Sequence, residues 1–341
     1  MRVSCILPCR NEEKFIGPCL DSFLATAYPH DQLELLVVDG DSNDGTREIV
    51  QAYSAKHPCI RLLDNPKRIV PTALNIGIRA ATGDVIVRLD AHVVYPPDYV
   101  PKCVAALETS GADNVGGIVV TLPANQTPMA EAIAVGLSHP FGVGNSWFRI
   151  GTAEARWVDT VPFGCFRREL FSRIGLFDEE LVRNQDDEFN FRIIREGGRI
   201  MLLPDVVSYY YARESPGLAA KMLYQYGYFK PLVARKIGRV VTLRQLVPPA
   251  FVASLAIGAV LALLWPPAVV LLAAVILMYA AAAIFSAAGQ VRRHGIRCAA
   301  ALVTVFPLLH ISYGAGFIRG LWSLLVSRDR WRDPATVPLT R

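Results

Sequence analysis

The chain has 341 residues, of which 52% are hydrophobic, and a formal net charge of +5. This composition is too apolar for an ordinary soluble enzyme and indicates membrane segments. Acidic residues outnumber basic ones before residue 235, and basic residues predominate after it. Such a division predicts an acidic domain held against an anionic membrane surface. Nucleic acid is not an expected partner, because the basic residues flank apolar runs and form no patch interleaved with aromatic side chains.

The N-terminal part of the chain alternates apolar runs with helical segments. We predict buried strands at Val3–Leu7, Leu33–Val38, Ile60–Leu63 and Val85–Leu89. Because helices connect these runs, the pattern predicts right-handed strand–helix–strand units and a parallel sheet. The predicted fold class is therefore α/β.

Polar clusters follow the four strands, at residues 8–13, 39–46, 65–68 and 90–92. The carboxyl ends of parallel strands meet at one edge of a sheet, so these clusters should converge on a crevice of the kind that binds nucleotides. The first strand is not followed by GxGxxG, and the chain contains no GxxxxGK[ST]. Dinucleotide-dependent oxidoreductases and P-loop enzymes are therefore disfavoured.

The fourth cluster, Asp90-Ala91-His92, places a carboxylate and an imidazole two residues apart at a strand end. These side chains can share one divalent cation. Taken alone, however, the tripeptide is better explained as a solvated turn. Other motifs of the chain are needed to distinguish a metal site from such a turn. Arg88, just before it, is expected to pair with an acid under the sheet.

The next stretch is less regular. Asp113–Val120 is predicted to form a strand, and the glycine-rich stretch Ser138–Asn145 a flexible lid. Asn184–Glu188 opens a predicted helix over residues 189–195. Its three adjacent acids can simply cap the helix dipole, or they can raise one another's pKa towards that of a general base. The run Tyr209–Tyr211 is expected to pack near a membrane interface.

The C-terminal part changes character. No charged residue occurs from Gln245 to Val291, which is long enough for two spans, at about 247–265 and 268–288, since about 20 residues cross a bilayer core. Basic residues on both flanks place these flanks in the cytosol. A third apolar segment, 298–318, contains Pro307 and either spans or is re-entrant, and both alternatives stay open. The predicted division is a cytosolic catalytic domain, 1–234, and a membrane region, 235–341.

Two further features favour a cytosolic domain. The seven cysteines include no CxxC pair and are expected to be buried thiols of a reducing compartment. The short apolar run at the N-terminus is interrupted by Pro8 and does not have the pattern of a signal peptide.

Four motifs resemble those of glycosyltransferase family 2: Pro8–Glu13, Val37–Thr46, Ala73–Gly77 and Arg88–His92. Together with Arg183–Glu188, they are most similar to the bacterial exopolysaccharide branch, the succinoglycan-type glucosyltransferases. The resemblance covers about residues 3–230 and continues into the membrane tail. It implies a GT-A fold with a mostly parallel sheet, a nucleotide-sugar donor and inversion at the anomeric carbon.

The resemblance also implies a metal and nucleotide site. The family's DxD motif falls on Asp90 and His92, with His92 in place of the usual second Asp. A divalent metal, Mn²⁺ or Mg²⁺, is therefore expected, and imidazole suits Mn²⁺ better. Asp39 matches the carboxylate that seats the base and ribose, and Asp41 is expected to supply a second acid because Gly40 stands where many relatives have Asp. The other expected donor-binding residues are Pro8, Asn11, Glu12 and Arg68, besides Asp90 itself.

The family's catalytic base matches Asp186, with Asp187 as the alternative because Gln185 replaces the usual Glu. The Gln-x-x-Arg-Trp motif of processive relatives is missing from the segment Gln225–Tyr228, so one sugar is expected per encounter.

The expected function is transfer of a hexose, glucose by this resemblance, from a UDP-sugar to a saccharide on polyprenyl diphosphate in bacterial exopolysaccharide biosynthesis. The expected location is the cell inner membrane, multi-pass, with the catalytic domain on the cytoplasmic side, where membrane lipids and a polysaccharide assembly complex are the further partners. Two alternatives remain: an enzyme that glycosylates polyprenyl phosphate directly, and a non-catalytic membrane scaffold of the assembly complex.

Overall fold

A computed structural model describes residues 1–238 and 242–326 of the chain. These residues contain the strands β1 (Val3–Cys9), β2 (Leu33–Asp39), β3 (Ile60–Asp64), β4 (Val85–Arg88), β5 (Val93–Val94), β6 (Asn114–Leu122), β7 (Arg156–Trp157), β8 (Cys165–Arg167) and β9 (Ile200–Tyr211). The helices of the same residues are α1 (Glu13–Leu24), α2 (Thr46–Lys56), α3 (Val70–Ala80), α4 (Tyr99–Thr109), α5 (Pro128–Gly136), α6 (Pro140–Val143), α7 (Trp147–Ile150), α8 (Glu169–Ile174), α9 (Gln185–Arg195), α10 (Pro216–Ile237), α11 (Val247–Leu264), α12 (Ala268–Ala288) and α13 (Val291–Val326). Short 3₁₀ turns lie at His30–Gln32 and Leu243–Gln245.

All nine strands of the described residues join one mixed sheet in the order β3-β2-β1-β4-β8-β6-β9-β5, with β7 paired to β9. The first four predicted strands pair in parallel, as expected. The short β8 is antiparallel to both β4 and β6, and β6 resumes parallel pairing with β9. The predicted α/β fold with a mostly parallel sheet is therefore confirmed.

Helices cover both faces of the sheet, which explains why its central strands are apolar without interruption. Along β1, Cys5 and Leu7 enter one core cluster with α1 and α4, whereas Ile6 enters a second cluster with α3, α8 and α9. This alternation is the two-residue period of an extended strand. Helix α3 lies so close to β1 that a Cβ at Gly77 would overlap the Ile6 side chain, so only glycine fits there without movement.

The three C-terminal helices, α11 to α13, are long and apolar enough to cross a membrane. Their outward side chains are large and apolar, with Leu263 85% and Phe285 83% exposed, and a surface of this kind needs an apolar environment. Helix α13 bends at Gly295, where φ is +79°, and its backbone stays helical through Pro307. The third apolar segment is thus one continuous helix, and its crossing of the membrane stays a prediction.

Helix α10 connects the sheet domain to these apolar helices. A Cβ at Gly316 or Gly320 of α13 would overlap a backbone carbonyl of α10, that of Tyr224 or Tyr228 respectively. Gly227 of α10 has the same relation to the Tyr313 carbonyl. Glycines let the two backbones approach closely, as small residues do between membrane helices. The sheet domain is thereby packed against the apolar region.

Candidate functional site

A cavity of about 800 Å³ opens where the carboxyl edge of the sheet faces the apolar helices. The loops after β1, β2, β3 and β4 all contribute to its wall, as the sequence predicted for the polar clusters. The residues of these loops that line it include Pro8, Arg10, Asn11, Glu12, Gly40, Asn65, Arg68, Asp90 and His92. The opposite wall comes from α9, α10 and the apolar helices.

Asp90 and His92, the expected metal ligands, both line this cavity. One Asp90 carboxylate oxygen accepts a hydrogen bond from the Arg88 guanidinium at 3.0 Å, and the Asp90 backbone N–H donates to the Tyr95 hydroxyl at 2.8 Å. Nδ1 of His92 lies 3.1 Å from Oε1 of the buried Glu12. Both potential ligands are therefore held in place by neighbouring side chains.

The donor set fits a divalent metal. Metal-binding histidines usually donate their second ring N–H to a carboxylate, which fixes the tautomer and orients the ring. Glu12 is placed to accept this bond from His92 Nδ1, and Nε2 is then the nitrogen with a lone pair for a metal. The side chains of Asp90 and His92 keep 21% and 14% exposure respectively, so both remain accessible from the cavity.

Arg88 connects the two halves of the site. Its guanidinium lies 3.0 Å from an Asp90 oxygen and 3.8 Å from an oxygen of Asp186, at the start of α9. Burial acts to lower the pKa of Arg88, but Asp90 and Asp186 outweigh it and raise the pKa above its ordinary value. The expectation that Arg88 pairs with an acid was correct, but both acids belong to the cavity and not to the underside of the sheet.

The two candidate bases, Asp186 and Asp187, differ in their surroundings. Asp187 forms an ion pair with the buried Lys230 of α10 and lies 3.4 Å from the Thr160 hydroxyl. The Asp186 side chain is 36% exposed, lies 3.8 Å from Arg88 and accepts a hydrogen bond from the Asp187 backbone N–H at 3.0 Å. Burial lowers the pKa of Lys230 to about 8. Of the two acids, Asp186 is the more accessible from the cavity.

The start of α9 is fixed by the residue before it. Asn184 adopts a left-handed conformation with φ of +60°, and its side-chain amide donates to the Tyr226 carbonyl of α10 at 2.9 Å. Asparagine tolerates this conformation better than most residues. The helix begins at Gln185, before the predicted start at residue 189, and this places Asp186 and Asp187 in its first turn.

The expected nucleotide residues separate into two groups. Pro8, Asn11, Glu12 and Arg68 line the cavity. Asp39 is 1% exposed and accepts from Arg47 at 3.0 Å and from the Ser42 hydroxyl at 2.5 Å.

Asp41 pairs with Arg68 at the surface, and among the described residues neither Asp39 nor Asp41 lines the cavity. Asp39 therefore organises the loop after β2, and nucleotide contact by either acid stays a prediction.

Several wall residues were not identified from the sequence. The cavity is also lined by the cationic residues Arg149, Arg183, Arg213, Lys230 and Arg244. Arg183 begins the stretch that resembles the family, but the other four belong to none of the quoted motifs and are far apart in sequence, so only the fold brings them together. Tyr210 likewise lies in β9, with its ring edge-on to His92 at 5.3 Å between centroids. The expectation that this tyrosine run packs near a membrane interface stays a prediction.

The predicted lid is partly helical. Residues Ser138–Asn145 contain α6, and the Phe141 ring packs edge-on against Phe306 of α13 at 4.9 Å. Arg244 donates to the Asn145 side chain at 3.1 Å and pairs with Asp159 at 3.0 Å. This segment is thus part of the cavity wall that contacts the apolar helices.

A second group of potential metal ligands lies outside the cavity. Oxygen, nitrogen and sulfur atoms of Glu131, His294 and Cys298 come within 4.8 Å of one another. Glu131 and His294 are 2.9 Å apart and attach the start of α13 to α5. Arg292, Arg293 and Arg297 flank His294 in sequence, and their positive charges disfavour a bound cation, so a structural role explains the group.

The family model described as glycosyl transferase family 2 matches residues 4–174. The succinoglycan biosynthesis protein ExoA of Rhizobium meliloti (strain 1021) is 30% identical over 318 residues, covering 93% of this chain and 94% of that protein. A dolichyl N-acetyl-alpha-D-glucosaminyl phosphate 3-beta-D-2,3-diacetamido-2,3-dideoxy-beta-D-glucuronosyltransferase of Methanococcus voltae is 32% identical over 243 residues, covering 69% and 74%.

Solved structures show the same fold. Mannosyltransferase PcManGT from Pyrobaculum calidifontis, in complex with GDP-Man and Mn²⁺, has a TM-score of 0.60 at 23% identity and covers 94% of this chain and 87% of that one. TarS 1-349 of S. aureus, in complex with UDP-GlcNAc, has a TM-score of 0.53 at 18% identity, covering 95% and 92%. The fold is thus that of the GT-A glycosyltransferases, and the chain belongs to glycosyltransferase family 2.

Proposed function

We propose that this glycosyltransferase is an inverting, non-processive enzyme that transfers glucose from UDP-glucose to a saccharide on polyprenyl diphosphate during exopolysaccharide synthesis. The single observation that carries this proposal is the composition of the cavity wall. One end has the candidate metal ligands and the nucleotide loops, and the other has apolar side chains of α11 and α13, such as Phe251 and Leu309. A water-soluble donor and a lipid-linked acceptor can meet only in a space with both kinds of wall.

Relatives support the acceptor class and the pathway. The Rhizobium relative is named for succinoglycan biosynthesis, and the Methanococcus relative for transfer to a dolichyl-linked sugar phosphate. The three apolar helices agree with a lipid-linked substrate. We infer a multi-pass protein of the inner membrane with the sheet domain, residues 1–234, on the cytoplasmic side, because basic residues flank the first two spans.

Asp186 is the proposed general base. Its carboxylate takes the proton of an acceptor hydroxyl, while the hydroxyl oxygen attacks the anomeric carbon from the face opposite UDP. The bond between the anomeric carbon and the diphosphate oxygen breaks, and UDP leaves with the bonding electrons. Asp187 is less suited to this role because its charge is already paired with Lys230.

Asp90 and His92 are proposed to hold the divalent metal, with Glu12 orienting His92. When bound, such a metal neutralises the charge that develops on the departing diphosphate. The imidazole ligand favours Mn²⁺ over Mg²⁺, which prefers oxygen ligands. Arg88 places a fixed positive charge between Asp90 and Asp186 and reduces the repulsion between the two carboxylates.

The function is tested with the purified full chain in lipid nanodiscs and Mn²⁺. UDP-glucose, UDP-galactose, UDP-GlcNAc and GDP-mannose are each supplied with either a polyprenyl-diphosphate-linked disaccharide or bare polyprenyl phosphate. Mass spectrometry of the lipid product should show one added hexose, from UDP-glucose, on the disaccharide. Addition to bare polyprenyl phosphate alone would replace this proposal by synthesis of a one-sugar lipid donor. If no donor is either transferred or hydrolysed, the result would favour the non-catalytic scaffold.

A further inference from the structure

Two arginines in the cavity wall have no anionic partner. The Arg213 side chain follows β9, is 5% exposed, and its Nε has no hydrogen-bond acceptor. Nη1 of Arg149, on α7, is also buried without an acceptor. Within residues 1–238 and 242–326, neither guanidinium forms an ion pair. Of the other cavity cations, Arg68, Arg88, Lys230 and Arg244 form ion pairs, whereas Arg10, in the loop after β1, also has a buried Nε without an acceptor.

An unpaired buried guanidinium is costly. Arginine does not lose its proton in proteins, so it cannot reduce the cost of burial by becoming neutral. The planar fork of N–H donors matches the oxygens of phosphate groups, often through two parallel hydrogen bonds. Two such groups in one cavity wall therefore indicate a binding site for a phosphorylated anion.

The arginines lie around two tyrosines. The Arg149 guanidinium carbon is 5.8 Å from the centroid of the Tyr210 ring, which also lies edge-on to His92. Burial raises the pKa of Tyr226, while Arg183, Arg149 and Arg213 act to lower it. Tyr226 lines the same cavity as these three arginines. Through Tyr210, Arg149 lies near the candidate metal ligand His92.

The wall beyond these arginines belongs to the apolar helices. Val247 and Phe251 of α11, Tyr279 of α12 and Leu309 of α13 line the same cavity. The segment that bears Arg149 is joined to this region, since Phe141 packs on Phe306 and on His310 at 5.3 Å. A hydrocarbon chain attached to an anion at Arg149 and Arg213 can therefore lie along an apolar wall.

We propose that Arg149 and Arg213 bind the phosphate or diphosphate of the lipid-linked acceptor, which orients its sugar towards Asp186. This inference rests on the proposed function and adds the residues that recognise the acceptor. In this proposal the donor is left to Arg10 and Arg68, which line the same cavity from the loops after β1 and β3. Binding of the acceptor phosphate at a fixed distance from the base would decide which acceptor hydroxyl reacts.

The test measures binding of farnesyl diphosphate, inorganic pyrophosphate and farnesol to the full chain in detergent, with saturating UDP and Mn²⁺ filling the donor site. Wild type should bind farnesyl diphosphate more tightly than either fragment. Arg213→Gln and Arg149→Gln should each weaken this binding by about tenfold, the usual loss for a charged hydrogen bond, with UDP affinity unchanged. The matched control is Arg156→Gln, since Arg156 stacks 3.7 Å from the Trp147 ring centroid outside the cavity wall.

A Tm close to that of wild type shows that each variant is folded, and Arg149→Gln serves if Arg213→Gln fails this criterion. An equal loss of UDP affinity would assign the arginines to the donor and overturn the proposal. Pyrophosphate binding as tightly as farnesyl diphosphate would also overturn it, in favour of a site for a free anion. The proposed function fails separately, if the wild-type protein neither transfers nor hydrolyses any sugar nucleotide. That result does not depend on whether farnesyl diphosphate binds.

Discussion

The parallel half of the sheet domain, β1 to β4, and the region from β6 to α10 contribute to the same cavity in different ways. In the first half, each polar residue of the site directly follows a strand, so its position depends on local sequence. In the second, Asp186, Arg149, Arg213 and Lys230 lie on separate helices and loops. In the proposed mechanism, the first half binds the donor, and the second half supplies the general base and the residues that bind the acceptor.

The largest expected effect tests whether the second region supplies the base. Asp186→Asn should lower kcat by about 10²–10⁴-fold, the usual contribution of a general base, while UDP binding persists. Asp187→Asn, in the same helical turn, should lower kcat less because Asp187 is paired with Lys230. Steady-state kinetics with isothermal titration of UDP measures both effects. Normal transfer by Asp186→Asn would show that the base lies elsewhere.

The first half is tested at the metal ligands. Asp90→Ala should reduce transfer by about a hundredfold or more, since a metal contributes several kcal/mol of charge stabilisation. The measurement is UDP affinity and rate as Mn²⁺ is titrated after chelation. Wild type should require the metal for both, and the variant should bind UDP equally with or without it. A variant with full activity in chelator would rule out this site.

The close contact between α10 of the sheet domain and the apolar helix α13 is tested by substitution of a glycine. Gly320→Ala should destabilise the fold by about 1–3 kcal/mol, as overpacking does, because its Cβ overlaps the Tyr228 carbonyl. Gly289→Ala is the control, since its nearest neighbours are backbone oxygens at 3.5 Å or more. Thermal unfolding in detergent compares the two. Equal Tm values for the two variants would mean that α10 and α13 are not closely packed.

Lys230 makes the second region sensitive to pH. Its folded-state pKa is about 8 because of burial, whereas an unfolded lysine titrates near pH 10.4. Between these values the unfolded state binds more protons, so this group makes the protein more stable as pH rises from about 8 to 10. The Tm of wild type minus that of Lys230→Gln should increase over this range. A difference that is constant or decreases would contradict the assignment.

The smallest effect is expected for the surface pair of Arg68 and Asp41 in the first half. Both side chains are more than half exposed, and exposed ion pairs contribute about 0–1 kcal/mol. Asp41→Asn should leave Tm almost unchanged and change KM for the donor only modestly. Arg68→Gln, which alters a residue of the cavity wall, should raise this KM more. A larger effect for Asp41→Asn would indicate direct nucleotide contact by Asp41.

Asp39 illustrates what local pattern leaves undecided. The sequence placed it correctly at the end of β2, but its carboxylate is turned into the loop and bound by Arg47 and Ser42. Residue type and strand position are the same for an acid that lines a cavity and for one that holds a loop. Only the positions of neighbouring donors distinguish these roles.

The sequence by itself determined the parallel strands, the crevice at their carboxyl edge, the acidic cluster of Asp186 next to a helix and the three apolar segments. Each depends on contacts or periodicities within a few residues, which sequence order records directly. The tertiary structure decided that Arg88 lies between Asp90 and Asp186, and that Lys230 forms an ion pair with Asp187. It also decided that Arg149 and Arg213 line the same cavity. These pairings join residues far apart in the chain, so they exist only once the packed helices and the sheet have fixed the positions of their backbones.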